Sequence, residues 1–238
     1  MTDPRKLAEE FVTGLRRDLG DRMRSAALFG SAARNEWIDG VSDVNVLVLV
    51  DNIDAQLLAR GSATARSSVK RRVMPLLMEQ EEWRRAGDVF SIELADMKDA
   101  HVPLFGDDPV EHYVADHNNL RLQAERELRA KLLHLHSGML MAGEDGKRLG
   151  QLLLHALPSF TTYLRAALRL AGEPVPATTP EVIDHACRLA DADPDVFQRV
   201  YRARTSRSAL EAGPADPLAD RFNTAAQQMA EYIDAHRR

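Results

Sequence analysis

Residues 25–51, SAALFGSAARNEWIDGVSDVNVLVLVD, decide how this chain is to be read. Ser25–Phe29 is short and apolar and predicts a strand. Gly30-Ser31 predicts a sharp turn opening a short helix, and Asp39-Gly40 a second turn. Val44–Val50 is apolar at nearly every position, as expected of a strand buried on both faces. Asp43 stands at its head, followed by Val44, Asn45 and Val46. Glycine at a strand-to-helix turn lets the backbone approach a ligand closely, and a helix N-terminus offers unpaired N–H groups to a phosphate. Ser31 adds a hydroxyl, and Arg34 sits one turn along. Residues i and i+2 of a strand share a face, so Asp43 and Asn45 are expected to project together towards the turn. Two carboxylates at such positions can hold divalent ions against a triphosphate. Here the second position is a neutral amide.

Working outward, Pro4–Leu19 spaces Leu7, Phe11, Leu15 and Leu19 four apart, the stripe of an amphipathic helix. Asp54 caps an expected helix running towards Arg71. Val73–Met78 is apolar but holds Pro75, which suits an edge or bulged strand. Glu79–Arg85 predicts a short helix, and the alternation in Val89–Ala95 (VFSIELA) a further strand. This order indicates a small α/β domain with a short mixed sheet. His101–Pro109, with its two prolines and a glycine, reads as the link out, so the first domain is placed at residues 1–107. From Val110 the apolar period becomes 3.6, with long helices expected over Val110–Ala142 and Leu149–Leu170. The second is expected to kink at Pro158, which cannot donate a backbone hydrogen bond. Shorter helices follow near Glu181–Ala190, Asp195–Arg204 and Pro217–His236. Residues 108–238 are therefore expected to form an all-helical bundle domain.

Composition narrows the function classes. The 238 residues carry a net charge of −5. It is spread evenly, with 15 basic against 18 acidic residues up to position 107 and 16 against 18 beyond it. Neither half has the basic balance of a protein that coats nucleic acid. No apolar run reaches the ~18 residues of a membrane span, and the charged start MTDPRKLAEE is unlike a signal peptide. The single cysteine, Cys187, permits no internal disulfide. A reduced, cytoplasmic protein is expected.

Gly30-Ser31, the spacer, and Ser42-Asp43-Val44-Asn45-Val46 together resemble the nucleotidyltransferase superfamily related to DNA polymerase beta, and its minimal bacterial members in particular. The likeness covers most of residues 25–51. The helical half is similar in kind to bundles appended to antibiotic and protein nucleotidyltransferases. The resemblance implies transfer of a nucleoside monophosphate from an NTP, usually ATP, to an acceptor hydroxyl. It also implies magnesium bound by acidic residues, here Asp43 with Asn45 in the second position. Gly30, Ser31 and Arg34 would meet the nucleotide. A third carboxylate, base or metal ligand, usually comes from a later strand, and Glu93 between Ile92 and Leu94 is the candidate; otherwise it is an edge-strand acid facing solvent or pairing with an arginine. Asn45 weakens the metal site, an amide oxygen being a neutral ligand; the alternative reading is a buried polar residue paired with backbone.

Three functions follow as expectations. The first is an enzyme that binds an NTP with magnesium in a cleft between the domains and transfers NMP to an unspecified acceptor. The second is a pseudoenzyme that senses nucleotide without transfer, and the third a partner-binding module whose helical half does the work. Lys70, Arg71 and Arg72 could line a phosphate groove, but a solvated helix face is the plainer reading. The histidines lack ligand spacing, and Ser31 lacks the G-x-S-x-G setting of a hydrolase nucleophile.

Overall fold

The computed structural model describes residues 3–213 and 216–236. It divides into two compact units, residues 1–115 and 116–238. The first unit opens with helix α1, Pro4–Leu19, capped by the Asp3 carboxylate on the Arg5 N–H. Strands β1 (Met23–Phe29) and β2 (Val44–Val50) follow, then helix α2 (Ala55–Val69), capped by Asp54. Strand β3 (Val73–Glu79) leads into helices α3 (Gln80–Arg85) and α4 (Ser91–Asp99), and β4 (His101–Phe105) completes the sheet. The strand order is β3-β2-β1-β4. β1 runs antiparallel to β2 and to β4, while β2 and β3 are parallel, joined through α2. The sheet is mixed and short, as the sequence predicts.

β2 shows why its sequence lacks polar alternation. Val44, Val46, Val48 and Val50 pack with α1 and Leu57 of α2. The alternate residues Leu47 and Leu49 pack on the other face with Trp83, Leu94, Met97 and Val110. A strand covered on both sides needs apolar residues at both parities.

Three expectations for this unit need correction. Val89–Ala95 is not a strand: Ser91–Asp99 is the helix α4, burying Ser91, Ile92, Leu94, Ala95 and Met97. A short apolar run fits either period, and the helix-forming residues Glu93 to Lys98 settle it only when read beyond position 95. Nor is His101–Pro109 merely a link. Its first five residues form the edge strand β4, where Pro103 pairs with Ala27; proline is tolerated on an edge because only one side is bonded. Gly106 (φ +70) then turns the chain so closely over β1 that a Cβ there would lie 2.0 Å from the Arg24 carbonyl oxygen.

The long helix α5 spans His117–Ala142, not Val110–Ala142. Asp116 caps it through the Asn119 N–H, 2.9 Å away. Residues 108–115 belong to the first unit instead. Trp83 Nε1 donates to the Pro109 carbonyl at 2.8 Å, Lys98 Nζ to that of Val110 at 3.1 Å, and Val110 is buried. The division thus falls eight residues beyond the expected boundary.

The second unit is all-helical, with α5 followed by α6 (Gly146–Leu170), α7 (Thr179–Leu189), α8 (Pro194–Ser206) and α9 (Leu218–Ala235). α6 packs against the other four. At its centre the Phe222 ring lies edge-on to Phe160 and Phe197, centroids 5.1 and 4.7 Å away. Pro158 sits inside α6 without dividing it. The carbonyl it leaves without an i+4 partner is that of Leu154, and Arg204 of α8 donates to it at 3.1 Å.

Candidate functional site

The Gly-Ser turn lies where the sequence places it. Gly30–Ala32 is a single 3-10 turn directly after β1. The Gly30 carbonyl accepts from the Ala33 and Arg34 N–H groups at 3.1 and 3.2 Å. Gly30 has φ +75, in the left-handed region open to glycine. Beside it β1 and β2 pair Phe29 with Asn45. The Asn45 amide is so near that a Cβ on Gly30 would come within 3.1 Å of its nitrogen. Turn and strand residue therefore converge, and what Asn45 offers the turn is a dipole without net charge.

Asp43 lies one residue before β2, about half exposed, and its carboxylate is held by Arg72 at 2.9 Å, whose own side chain is 45% exposed. Arg72 Nη2 also donates to the Val41 carbonyl at 2.9 Å, and the Val44 N–H donates to the Arg72 carbonyl at the same distance. Backbone and side chain alike thus fix residue 72 beside the head of β2. Arg72 belongs to the turn after α2, not to a helix face, and it adopts φ +57. Its neighbour Arg71 pairs with Glu10 at 2.5 Å.

Arg34 was expected to reach phosphate. Its side chain is 7% exposed, and its guanidinium lies 3.5 Å from the Asp96 carboxylate and donates to the Asp96 carbonyl at 2.9 Å. It fastens the turn to α4 and is committed there. Glu93 is in the first turn of α4 rather than on a strand, half-buried and one turn before Asp96. No strand therefore aims it at Asp43. What remains is a position on the helix that Arg34 ties to the Gly-Ser turn.

Among the described residues no group of three or more His, Cys, Asp or Glu side chains is arranged to hold a metal ion. The donors expected for magnesium fit it poorly. Asp43 is neutralised by a guanidinium and Asn45 is neutral. Arg72, which the sequence places with Lys70 and Arg71 on a solvated helix face, is instead the partner of Asp43. Its signal lay in its place, immediately before the strand parallel to β2, where the register sets Val73 beside Val44.

A search of solved structures finds this architecture in spectinomycin adenyltransferase AAD(9) from Enterococcus faecialis, crystallised with ATP and spectinomycin. The TM-score is 0.58 at 13% sequence identity, over 94% of this chain and 98% of that one. The chain has a nucleotidyltransferase fold. Coverage that high takes in both units, so the helical half belongs to the likeness as well. No family model and no curated protein matches the sequence. No described helix is long and apolar enough to cross a membrane.

Proposed function

We propose that this chain binds a nucleoside triphosphate, ATP in the first instance, at the Gly30-Ser31 turn, and that it senses the nucleotide more readily than it transfers from it. The observation that carries this is the pairing of Asp43 with Arg72 beside Asn45. A turn with a left-handed glycine and a serine hydroxyl is present, while the charge that would gather metal ions around a triphosphate is offset. Fold likeness to an enzyme crystallised with ATP supports the choice of nucleotide. In this reading Gly30 and Ser31 meet the phosphates and Arg34 holds their turn in place. Glu93 lies on α4, the helix to which Arg34 ties that turn. Transfer of NMP to a hydroxyl, with magnesium on Asp43 and Asn45 and Glu93 as third acid, is the competing use of the same site.

The test is calorimetry of ATP with wild type, Asp43→Ala and Asn45→Asp, coupled to a pyrophosphate assay. Binding by wild type without pyrophosphate release is the expected result. No binding by any of the three at millimolar ATP sinks the reading. Sustained release by wild type in favour of an acceptor would establish the enzyme instead.

The partner-binding reading has one observation in its favour. Leu122, Leu133 and Leu140 of α5 are 55%, 68% and 85% exposed. Spacings of eleven and seven residues are close to whole numbers of helical turns, so the three fall on one line of the helix. Sedimentation of wild type and of Leu133→Glu decides whether that line self-associates.

A further inference from the structure

We propose that Arg72 takes the place of a metal ion beside Asp43, so that this site receives its nucleoside polyphosphate free of divalent cation. The inference rests on the nucleotide-binding reading above and supplies the cation that reading lacks.

Charge is the first ground. A pocket for two dications and a polyphosphate needs surplus negative charge on the protein side, and two ionised carboxylates supply it. Here the Asp43 charge is offset by Arg72 at 2.9 Å, and Asn45 contributes none. Net charge across the three side chains is zero. Removing Arg72 and placing aspartate at 45 takes it to minus two.

Geometry is the second. The Arg72 guanidinium is held by two contacts, Asp43 and the Val41 carbonyl. The Arg72 carbonyl is bonded to the Val44 N–H at the head of the strand. Residue 72 adopts φ +57, a left-handed conformation that favours glycine over any residue with a Cβ. Arginine nonetheless stands there.

Chemistry is the third. A guanidinium carries five N–H donors in a flat fork, stays charged at any physiological pH, and takes carboxylate and phosphate oxygens alike. With its side chain 45% exposed, Arg72 can keep Asp43 on one edge and offer the other to a phosphate. The pair itself is half-exposed and contributes little to stability. What matters is that the cation is covalently part of the chain, so its local concentration does not depend on the metal in solution.

The experiment uses two probes on the full chain: Mn2+ alone, titrated by the electron paramagnetic resonance of the free ion, and ATP, titrated in EDTA and in Mg2+. Wild type is compared with Arg72→Gly, Arg72→Lys and the double variant Arg72→Gly/Asn45→Asp. Glycine suits φ +57, so the first substitution leaves the backbone unstrained, and melting curves check that each variant folds. Expected are no Mn2+ binding by wild type at millimolar ion and ATP affinity equal within about twofold in the two buffers. Arg72→Gly should lose about tenfold in EDTA, Arg72→Lys much less, and the double variant should acquire Mn2+ binding and a dependence on Mg2+ for ATP. Wild type that needs Mg2+ for ATP, or that binds Mn2+ as tightly as the double variant, overturns the proposal. If no protein binds ATP in either buffer, the nucleotide reading has failed, and the Mn2+ titration alone still decides whether Arg72 excludes the metal.

Discussion

Replacing Gly30 with alanine tests the turn on which the functional reading depends. Two costs can be separated. At φ +75 a residue with a Cβ pays roughly 1–2 kcal/mol for the left-handed conformation. The new methyl also lies 3.1 Å from the Asn45 amide nitrogen, the end of a flexible side chain that needs to give only a few tenths of an ångström. That second term is about 0.5 kcal/mol, the low end of the cost of moving a side chain off its rotamer. A total near 1.5 kcal/mol lowers the midpoint of the first unit by about 5–10 °C. The assay is thermal unfolding followed by tryptophan fluorescence, which reports on this unit alone because both tryptophans, Trp37 and Trp83, lie in it. A double-mutant cycle with Asn45→Ala assigns the cause. If the backbone dominates, the loss persists in that background, with a coupling below about 0.5 kcal/mol. A Gly30→Ala protein as stable as wild type refutes the left-handed turn. A loss that vanishes with Asn45→Ala refutes the division of the cost.

Three further outcomes are expected. Arg204→Met removes the donor to the Leu154 carbonyl and should cost about 1–2 kcal/mol. Pro158→Ala restores an N–H four residues on and should recover much of that loss, as measured by urea melts of the four-protein cycle. Burial pushes the Cys187 thiol up to about 12 and leaves it with no exposed surface. A disulfide reagent at pH 8 should therefore leave the folded protein unlabelled and react once on unfolding. Burial raises the Asp108 carboxyl, but the Val110 N–H and His101 outweigh it and hold the group below the ordinary carboxylate range. A lowered native value means that the unfolded chain takes up the proton first as pH falls. The stabilisation is thus complete above about pH 4 and lost below it, and Asp108→Asn should flatten that acid limb in melts recorded from pH 2 to 5.

Where one strong pattern ruled a segment, the sequence was enough. The four-residue apolar spacing of α1, the nearly continuous apolar run of β2 and the proline that puts β3 on an edge all fold as their residues predict. Legibility failed where two patterns overlapped or where the deciding partner was distant. Ile92-Glu93-Leu94 satisfies a strand and a helix equally over its own length. His101–Pro109, with two prolines and a glycine, does not look like a strand, and only pairing with β1 makes a strand of its first five residues. In the candidate site, Gly30, Ser31, Asp43 and Asn45 could be named from spacing. The fate of Arg34 and Arg72 could not, because each is fixed by a partner, Asp96 or Asp43, 62 or 29 residues away along the chain.

The two outer strands of the sheet each carry a proline near the middle, Pro75 in β3 and Pro103 in β4. A strand arriving from another molecule would meet, at either rim, a residue with no N–H and a ring in place of a hydrogen. Growth of the sheet from chain to chain is thereby blunted at both ends, although β3 exposes Met74 and Leu76. Crowded or partly unfolded molecules are thus denied the simplest route to fibres. Substituting Pro75 and Pro103 together would open both rims at once, and the cost would be read in shelf life before it was read in melting temperature.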